Sequence, residues 1–227
     1  MSKRITIAID GPAGAGKTTL AKALAQRLCY LHLDTGAMYR AVGWKAQQLG
    51  VSLNDPEAVT EVARKLEIRL ESNAECNNRV FADGREITQE IRTSEAGEWA
   101  SRVSAISGVR QVLVKLQQQM GQGGGVVAEG RDMQTVVFPQ AEVKLFVTAS
   151  TAERARRRFL ELQEKGLPVT LEEIERDQQR RDERDSNRAD SPLKAASDAI
   201  VLETSDKTIE EVIAEVMEIV QHKTGQD

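Results

Sequence analysis

A chain of 227 residues has room for one large domain, or one domain with an elaborated insertion, and buries a core without disulfide or metal staples. Its 31 Lys and Arg against 35 Asp and Glu give a net charge of −4, which speaks against a general nucleic-acid coat or a membrane-surface binder. Two cysteines, Cys29 and Cys76, are too few for a disulfide framework or a zinc site and fit a reducing compartment.

Charged residues at 29% and apolar residues at 40% suit a soluble globular protein. The first apolar run, Ile5 to Ile9, is too short for a signal-peptide core or a membrane span, so a cytoplasmic location is expected. The basic residues divide into 20 Arg and 11 Lys, a bias toward the side chain with a two-pronged grip on phosphate and carboxylate.

In chain order, Ile5–Ile9 reads as a buried parallel strand. A Gly-rich turn follows, then Leu20, Ala21, Leu24, Ala25 and Leu28 at helical spacing. Tyr30–Leu33 reads as a second strand, and a helix covers Met38 to Leu49 with Gly50 as its stop. Asn54-Asp55-Pro56-Glu57 starts a helix that runs to about Lys65. From Glu67 to Ile91 apolar and polar residues alternate, broken by Asn73, Asn77-Asn78 and Asp83-Gly84. Asp-Gly between extended residues is a hairpin signal, so two or three small antiparallel strands are expected there. Helix returns from Ser94 to Gly121 with an interruption at Ser107-Gly108. Val126–Ala128, Val143–Val147 and Ile200–Leu202 read as three more core strands. Three helices remain: Thr151–Lys165 capped by Thr151, the highly charged Glu172–Arg188, and the amphipathic Thr208–His222. Strands alternating with helices predict a doubly wound α/β fold with a five-stranded parallel sheet.

Gly11-Pro12-Ala13-Gly14-Ala15-Gly16-Lys17-Thr18 matches the phosphate-loop (P-loop) pattern in full, between a strand and a helix. Glycines let the backbone aim N–H groups at phosphate oxygens, and the helix start adds the positive end of its dipole. Lys17 is expected to reach the β- and γ-phosphates of a nucleotide, and Thr18 to ligate Mg²⁺. The loop alone does not name the acceptor, since GTPases, ATPases and many kinases carry it.

Strand ends meet in one crevice of such a fold, so Thr35 and Arg40, just beyond the second strand, are expected near the loop's ligand. Glu129-Gly130-Arg131-Asp132-Met133 follows the third core strand directly, and Glu129 is placed to hold a Mg²⁺-bound water. Arg154, Arg157 and Arg158 share one helical face; Arg181, Asp185 and Arg188 share another, beside a stripe of Arg176, Arg180 and Arg184. Residues 150–190 hold ten basic and eleven acidic groups, so a solvated helix laced by ion pairs accounts for part of this pattern. Two Arg-dense helices hinged at Lys165-Gly166-Leu167-Pro168 have the form of a mobile lid, which phosphoryl transfer needs to exclude water.

The segments IDGPAGAGKTT, LDTGAMYRAVG, EIRTSEAGEWASRVSAISGVR, VVAEGRDMQTVVFP, VKLFVTASTAERARRR and RRDERDSNR, followed by Ala189-Asp190-Ser191-Pro192-Leu193, closely resemble those of the bacterial cytidylate kinases, within the nucleoside monophosphate kinase family. The resemblance spans nearly the whole chain. It implies a core (about 1–35, 122–150 and 195–227), a monophosphate-binding part with the β insertion (36–121) and a helical lid (151–190). The implied reaction is ATP with CMP or dCMP giving ADP with CDP or dCDP, with Mg²⁺. It also implies that Ser101, Arg110 and Asp132 read the cytosine ring, and that Arg40, Arg131 and Arg188 hold the monophosphate. Thr35, Tyr39 and Asp185 fall on the substrate side, and Arg181 on a lid arginine between the two phosphates. Gly11, Pro12, Ala13, Gly14, Ala15, Gly16, Lys17, Thr18, Thr19 and Arg157 fall on the ATP side. Gln134 stands where many relatives have Gly, Glu129 where many have Asp, and Trp99 beside Ser101 reads as local packing. A monomer acting on small nucleotides is expected, with no nucleic-acid or membrane partner. An Asn-Lys-x-Asp motif, which a GTPase needs, is absent, and eight aromatics are few for stacking bases. The alternatives are another P-loop kinase, for UMP or a non-nucleotide acid, and an ATP-driven switch or nucleic-acid module.

Overall fold

The computed structural model describes residues 4–72, 78–164, 166–188 and 190–224. Asn73, Cys76, Asn77, Lys165 and Ala189, singled out above, lie outside them.

Five parallel strands form the main sheet: β1 (Thr6–Asp10), β2 (Leu31–Asp34), β6 (Val126–Gly130), β7 (Val143–Thr148) and β8 (Ile200–Glu203), in the order β2-β6-β1-β7-β8. Both faces of β1 are covered, which is why its sequence is a near-continuous apolar run. Ile7 and Ile9 pack with Leu20 and Leu24 of α1 (Lys17–Leu28) and with Val212 and Val216 of α8 (Ile209–Thr224). Ala8 belongs to a second core on the opposite face. That core holds Met38 and Val42 of α2 (Thr35–Gln48), Val59 of α3 (Pro56–Lys65), Ala100 of α4 (Ser94–Val103) and Leu113 of α5 (Ser107–Met120).

The insertion is a three-stranded antiparallel sheet of β3 (Ile68–Ser72), β4 (Asn78–Ala82) and β5 (Arg85–Glu86). Asp83 and Gly84 join β4 to β5 with φ of 50° and 79°, the two left-handed residues of a type I′ hairpin turn. Helices α6 (Thr151–Glu164) and α7 (Leu171–Asn187) form a hairpin with a small core of its own, Ala155, Leu162 and Ile174.

Several expected boundaries move, each for a local reason. Helix α2 begins at Thr35 rather than Met38, because Asp34 caps it by accepting from the Ala37 N–H. The cap of α6 is Ser150 and not Thr151: the Ser150 hydroxyl accepts from the Glu153 N–H, and its carbonyl from the Arg154 N–H. Helix α7 stops at Asn187, so Arg188 (φ −65°, ψ 142°) is not part of the helical face expected for it with Arg181 and Asp185. Trp99 packs against the second core, as its position beside Ser101 suggested.

A π-helical turn over Met133–Val137 was not foreseen. It follows from Asp10, whose buried carboxylate accepts the N–H groups of Met133 and Gln134, both at 2.9 Å. Gln134 needs no glycine-like freedom, since its φ is negative. It is a buried brace: Nε2 donates to the Leu145 carbonyl at 2.7 Å and Oε1 accepts from the Ala196 N–H at 3.1 Å. Gln134→Leu removes both bonds from a buried site and should lower the unfolding free energy in urea by about 2 kcal/mol. A cost near zero would show that the brace contributes nothing.

Candidate functional site

The register of the sheet sets the site. Asp10 lies opposite Gly130 and Asp34 opposite Glu129, so β1, β2 and β6 end level at one edge. Crevices outside the carboxyl ends of such strands are where α/β folds hold ligands. A cavity of about 1130 Å³ opens there, lined by Gly14, Lys17, Thr18, Arg40, Arg157 and Arg181 among others. Nine Lys and Arg line it against five Asp and Glu, so a chain of net charge −4 encloses a basic cavity.

The Gly-rich loop wraps tightly because no side chain intervenes. A Cβ on Gly11, at φ 148°, would sit 1.9 Å from the Val147 carbonyl oxygen. Gly16 caps α1 at φ 89°. Lys17 opens that helix, buried, with Nζ donating to the Pro12 carbonyl at 2.6 Å. Burial drives its ammonium well below the usual lysine range, and the nearby Arg131 adds to the drop.

Glu129 joins the loop to its surroundings. Its Oε2 accepts from the Thr18 hydroxyl at 2.8 Å, and Oε1 lies 2.9 Å from His32 Nε2. Its backbone carbonyl accepts from the Thr35 hydroxyl at 2.7 Å. A hydroxyl beside a carboxylate, facing a P-loop, suits a hard cation that keeps several waters; these two residues fit Mg²⁺, directly or through water.

Basic side chains crowd the cavity and the region beside it. Arg40 pairs with Asp34 at 3.0 Å, and its buried Nε has no partner. The Arg181 Nε is likewise buried without one. Burial, then the neighbouring Arg131, lowers the Arg181 guanidinium to about 10. Arg131 donates to Asp185 at 2.7 Å. Burial opposes ionisation of Asp185, but Arg131 outweighs it and holds the carboxyl below the usual range. Arg188 donates from Nε to the Ser191 carbonyl at 2.6 Å and leaves a buried Nη2 unpartnered. Burial and the nearby Arg110 lower its guanidinium.

Deeper in, Arg110 and Asp132 form a buried ion pair, with the Arg110 guanidinium 6.0 Å from the centre of the Tyr39 ring. Burial lifts the Tyr39 phenol to about 12. Ser101 faces the cavity, where its hydroxyl accepts from Arg184 of α7. Arg157 donates to the Thr204 hydroxyl at 3.2 Å and carbonyl at 2.6 Å, which fixes its guanidinium beside Gly16. The expected residues therefore fall in two groups. Thr18, Thr19, Lys17, Arg40, Ser101, Arg157 and Arg181 line the cavity, whereas Thr35, Tyr39, Arg110, Glu129, Arg131, Asp132, Asp185 and Arg188 do not.

Four residues were not foreseen as part of the site. Asp10 and His32 are buried polar side chains in otherwise apolar strands, a signal visible in the sequence. Asn78 reaches His32 from β4. Arg154 turns inward, unlike Arg157 and Arg158 of its predicted face. It donates to the Ala13 carbonyl of the loop at 3.1 Å and pairs with Asp182 of α7 at 2.7 Å. Arg176 and Arg180 keep partners on their own helix, the solvated-face reading, although Arg180 also borders the cavity.

A sequence model of the cytidylate kinases matches residues 7–222. The chain belongs to the cytidylate kinase family. The cytidylate kinase of Desulfitobacterium hafniense (strain Y51) is 48% identical over 223 residues, which cover 98% of this chain and 95% of that one. A bifunctional pantoate ligase/cytidylate kinase of Synechococcus sp. (strain JA-2-3B'a(2-13)) is 51% identical over 212 residues, 92% of this chain. This cytidylate kinase family member spans only 39% of the bifunctional protein's length. Among solved structures, a gluconokinase from Sinorhizobium meliloti 1021 aligns at a TM-score of 0.50 and 10% identity, over 99% of this chain and 96% of that one, a likeness of fold alone. No helix among the described residues is long and apolar enough to cross a membrane.

The Asp10 carboxyl gives a pH test. Burial raises it from 3.8 to about 6, against the pull of the two backbone N–H bonds. Its folded form binds the proton more tightly than the unfolded form, so its contribution to stability is present below pH 3.8 and lost as pH rises through about 6. In urea unfolding, Asp10→Asn should gain on the wild type between about pH 4 and 6 and hold a constant offset above that window. An offset independent of pH would contradict the buried carboxyl.

Proposed function

We propose that this chain transfers the γ-phosphoryl group of ATP to the phosphate of CMP or dCMP, forming ADP and CDP or dCDP. The observation that carries the reading, beside family membership, is the set of buried guanidinium nitrogens on Arg40, Arg181 and Arg188 that have no partner among the described residues. Buried donors are normally satisfied, and phosphate oxygens supply the missing acceptors.

The acceptor phosphate oxygen is already a nucleophile. It forms a bond to the γ-phosphorus as the bond from that phosphorus to the β–γ bridging oxygen breaks, and ADP leaves. No general base is needed, and alignment with charge neutralisation supplies the catalysis. Lys17 exchanges the Pro12 carbonyl for the β- and γ-phosphate oxygens, and an anion there favours its charged form. Arg131, Arg181 and Arg188 neutralise the charge developing on the transferred group, and Arg40, Arg131 and Arg188 hold the monophosphate. The loop from Gly11 to Thr19, with Arg157, holds ATP. Thr18 and Glu129 would hold Mg²⁺, which would supply further charge neutralisation on the phosphates.

Asp132 accepts from the exocyclic amine of cytosine, which uracil lacks, with Arg110 and Ser101 on the rest of the ring's polar edge. Arg184 then has to leave Ser101. We assign α6 and α7, about residues 151–190, to a lid over the core and the monophosphate-binding part (36–121). Its own apolar core lets the hairpin keep its shape while polar contacts such as Arg184 with Ser101 exchange.

An acceptor panel of CMP, dCMP, UMP, AMP and GMP with coupled ADP detection tests the reading; CMP and dCMP should stand well above the rest. Because Asp132 neutralises a buried arginine, Asp132→Asn is a better probe than alanine. It should cost CMP at least about tenfold more in kcat/KM than UMP, as for a lost polar match. Equal losses would remove the base-reading role. Lys17→Ala should lower kcat by about two orders of magnitude or more. Near-normal turnover would refute its role.

A further inference from the structure

A polar chain runs from Thr18 on the cavity wall through the buried side chains of Glu129, His32 and Asn78. His32 is 1% exposed, on a strand whose neighbours Leu31 and Leu33 are apolar. Its Nε2 lies 2.9 Å from Glu129 Oε1. The Asn78 side-chain nitrogen lies 3.1 Å from His32 Nδ1 and 3.0 Å from the His32 carbonyl oxygen. A carbonyl oxygen only accepts, so the Asn78 atom facing it is the NH₂ group. That group's second proton points at Nδ1, which therefore accepts. The imidazole proton is left on Nε2, where it donates to Glu129. One amide on the β insertion thus sets the tautomer of a ring on the main sheet, and the ring orients the carboxylate beside Thr18.

Glu129 has two acceptor oxygens, and the two bonds divide them: His32 takes Oε1 and Thr18 takes Oε2. Without His32 the longer Glu side chain could turn about its last torsion and withdraw Oε2 from the threonine. The extra methylene of Glu over Asp then has a counterweight in the sequence, a strand histidine two residues before Asp34.

We propose that His32 is a positioning residue that holds Glu129 for Mg²⁺-nucleotide binding, and that Asn78 of the β insertion fixes the His32 tautomer for that task. This rests on the assignment of Thr18 and Glu129 to Mg²⁺. Partners one step removed from a metal ligand typically matter about 10- to 100-fold in metal affinity.

Calorimetric titration of the full chain with ADP, once with Mg²⁺ and once with EDTA, reads the gain in affinity that Mg²⁺ confers. His32→Gln, whose terminal amide reaches the Nε2 position, should keep the gain. His32→Asn, whose amide stops near Nδ1, should lose about tenfold of it while affinity for metal-free ADP stays unchanged. An undiminished gain in His32→Asn overturns the proposal, as does a parallel loss with and without Mg²⁺, which marks a merely structural residue. A wild type in which Mg²⁺ gives no gain instead removes the Thr18–Glu129 metal assignment, and this role with it. The wild type also tests the tautomer without any substitution. The chain has only two histidines, so ¹⁵N imidazole spectra resolve His32 from His222. A proton on Nε2 is expected; a proton on Nδ1 overturns the proposal even if a variant fails to fold.

Discussion

Glu129 is the point on which the site turns. It sits at the end of β6, between the two strands that carry the P-loop and the Asp34–Arg40 turn. A carboxylate that is 4% exposed has to be satisfied or it costs several kcal/mol. Thr18 satisfies it from the phosphate loop, His32 from β2, and its own backbone carbonyl takes the Thr35 hydroxyl from α2. Three separate pieces of chain are held in register by one buried acceptor group. Asp10 does the same at the end of β1, where its carboxylate shapes the turn after Arg131 and Asp132. The ends of β1, β2 and β6 thus serve as more than exits from the sheet: Asp10, Asp34 and Glu129 each hold a neighbouring segment in place.

The order of strands and helices was legible in the sequence because periodicity and punctuation agree along most of the chain. The parallel strands are short apolar runs, and Asp83-Gly84 marks the hairpin that the structure contains. The P-loop carries its chemistry in contiguous residues. What escaped the reading was made by contacts distant in sequence. The π turn depends on Asp10, more than 120 residues away, and no local preference announces it. Arg154 and Arg157 look alike on a helical wheel, yet one grips the phosphate loop and the other the segment after β8. Gln134 looked like an awkward replacement for glycine, but its partners lie on β7 and at Ala196.

The α6–α7 hairpin divides its interactions in a telling way. Apolar contacts hold its two helices to each other through Ala155, Leu162 and Ile174. Its ties to the rest of the chain named here are polar: Arg154 to Ala13, Asp185 to Arg131, Arg184 to Ser101. Apolar contacts have no partner in water, so a helix pair that keeps its own core is not undone by moving. Ionic contacts can be traded for phosphate oxygens or water at small net cost. This division is what a lid requires, and it follows from where the hydrophobic residues fall on two otherwise charged helices.

The charge arithmetic of the chain acquires a different meaning inside this site. A net −4 says little about a cavity walled by nine basic groups and five acidic ones. Crowding like charges in a buried place costs energy, and lysine and arginine meet that cost differently. Arg181 falls only to about 10 and stays protonated at neutral pH. Lys17, in the same field, is also driven below its ordinary range. A lid built of lysines would tend to shed its charge when it closed without a ligand, whereas arginines keep theirs and stay attractive to an anion. The arginines of the cavity, Arg40, Arg157 and Arg181 among them, are therefore suited to sit close together and keep their charge.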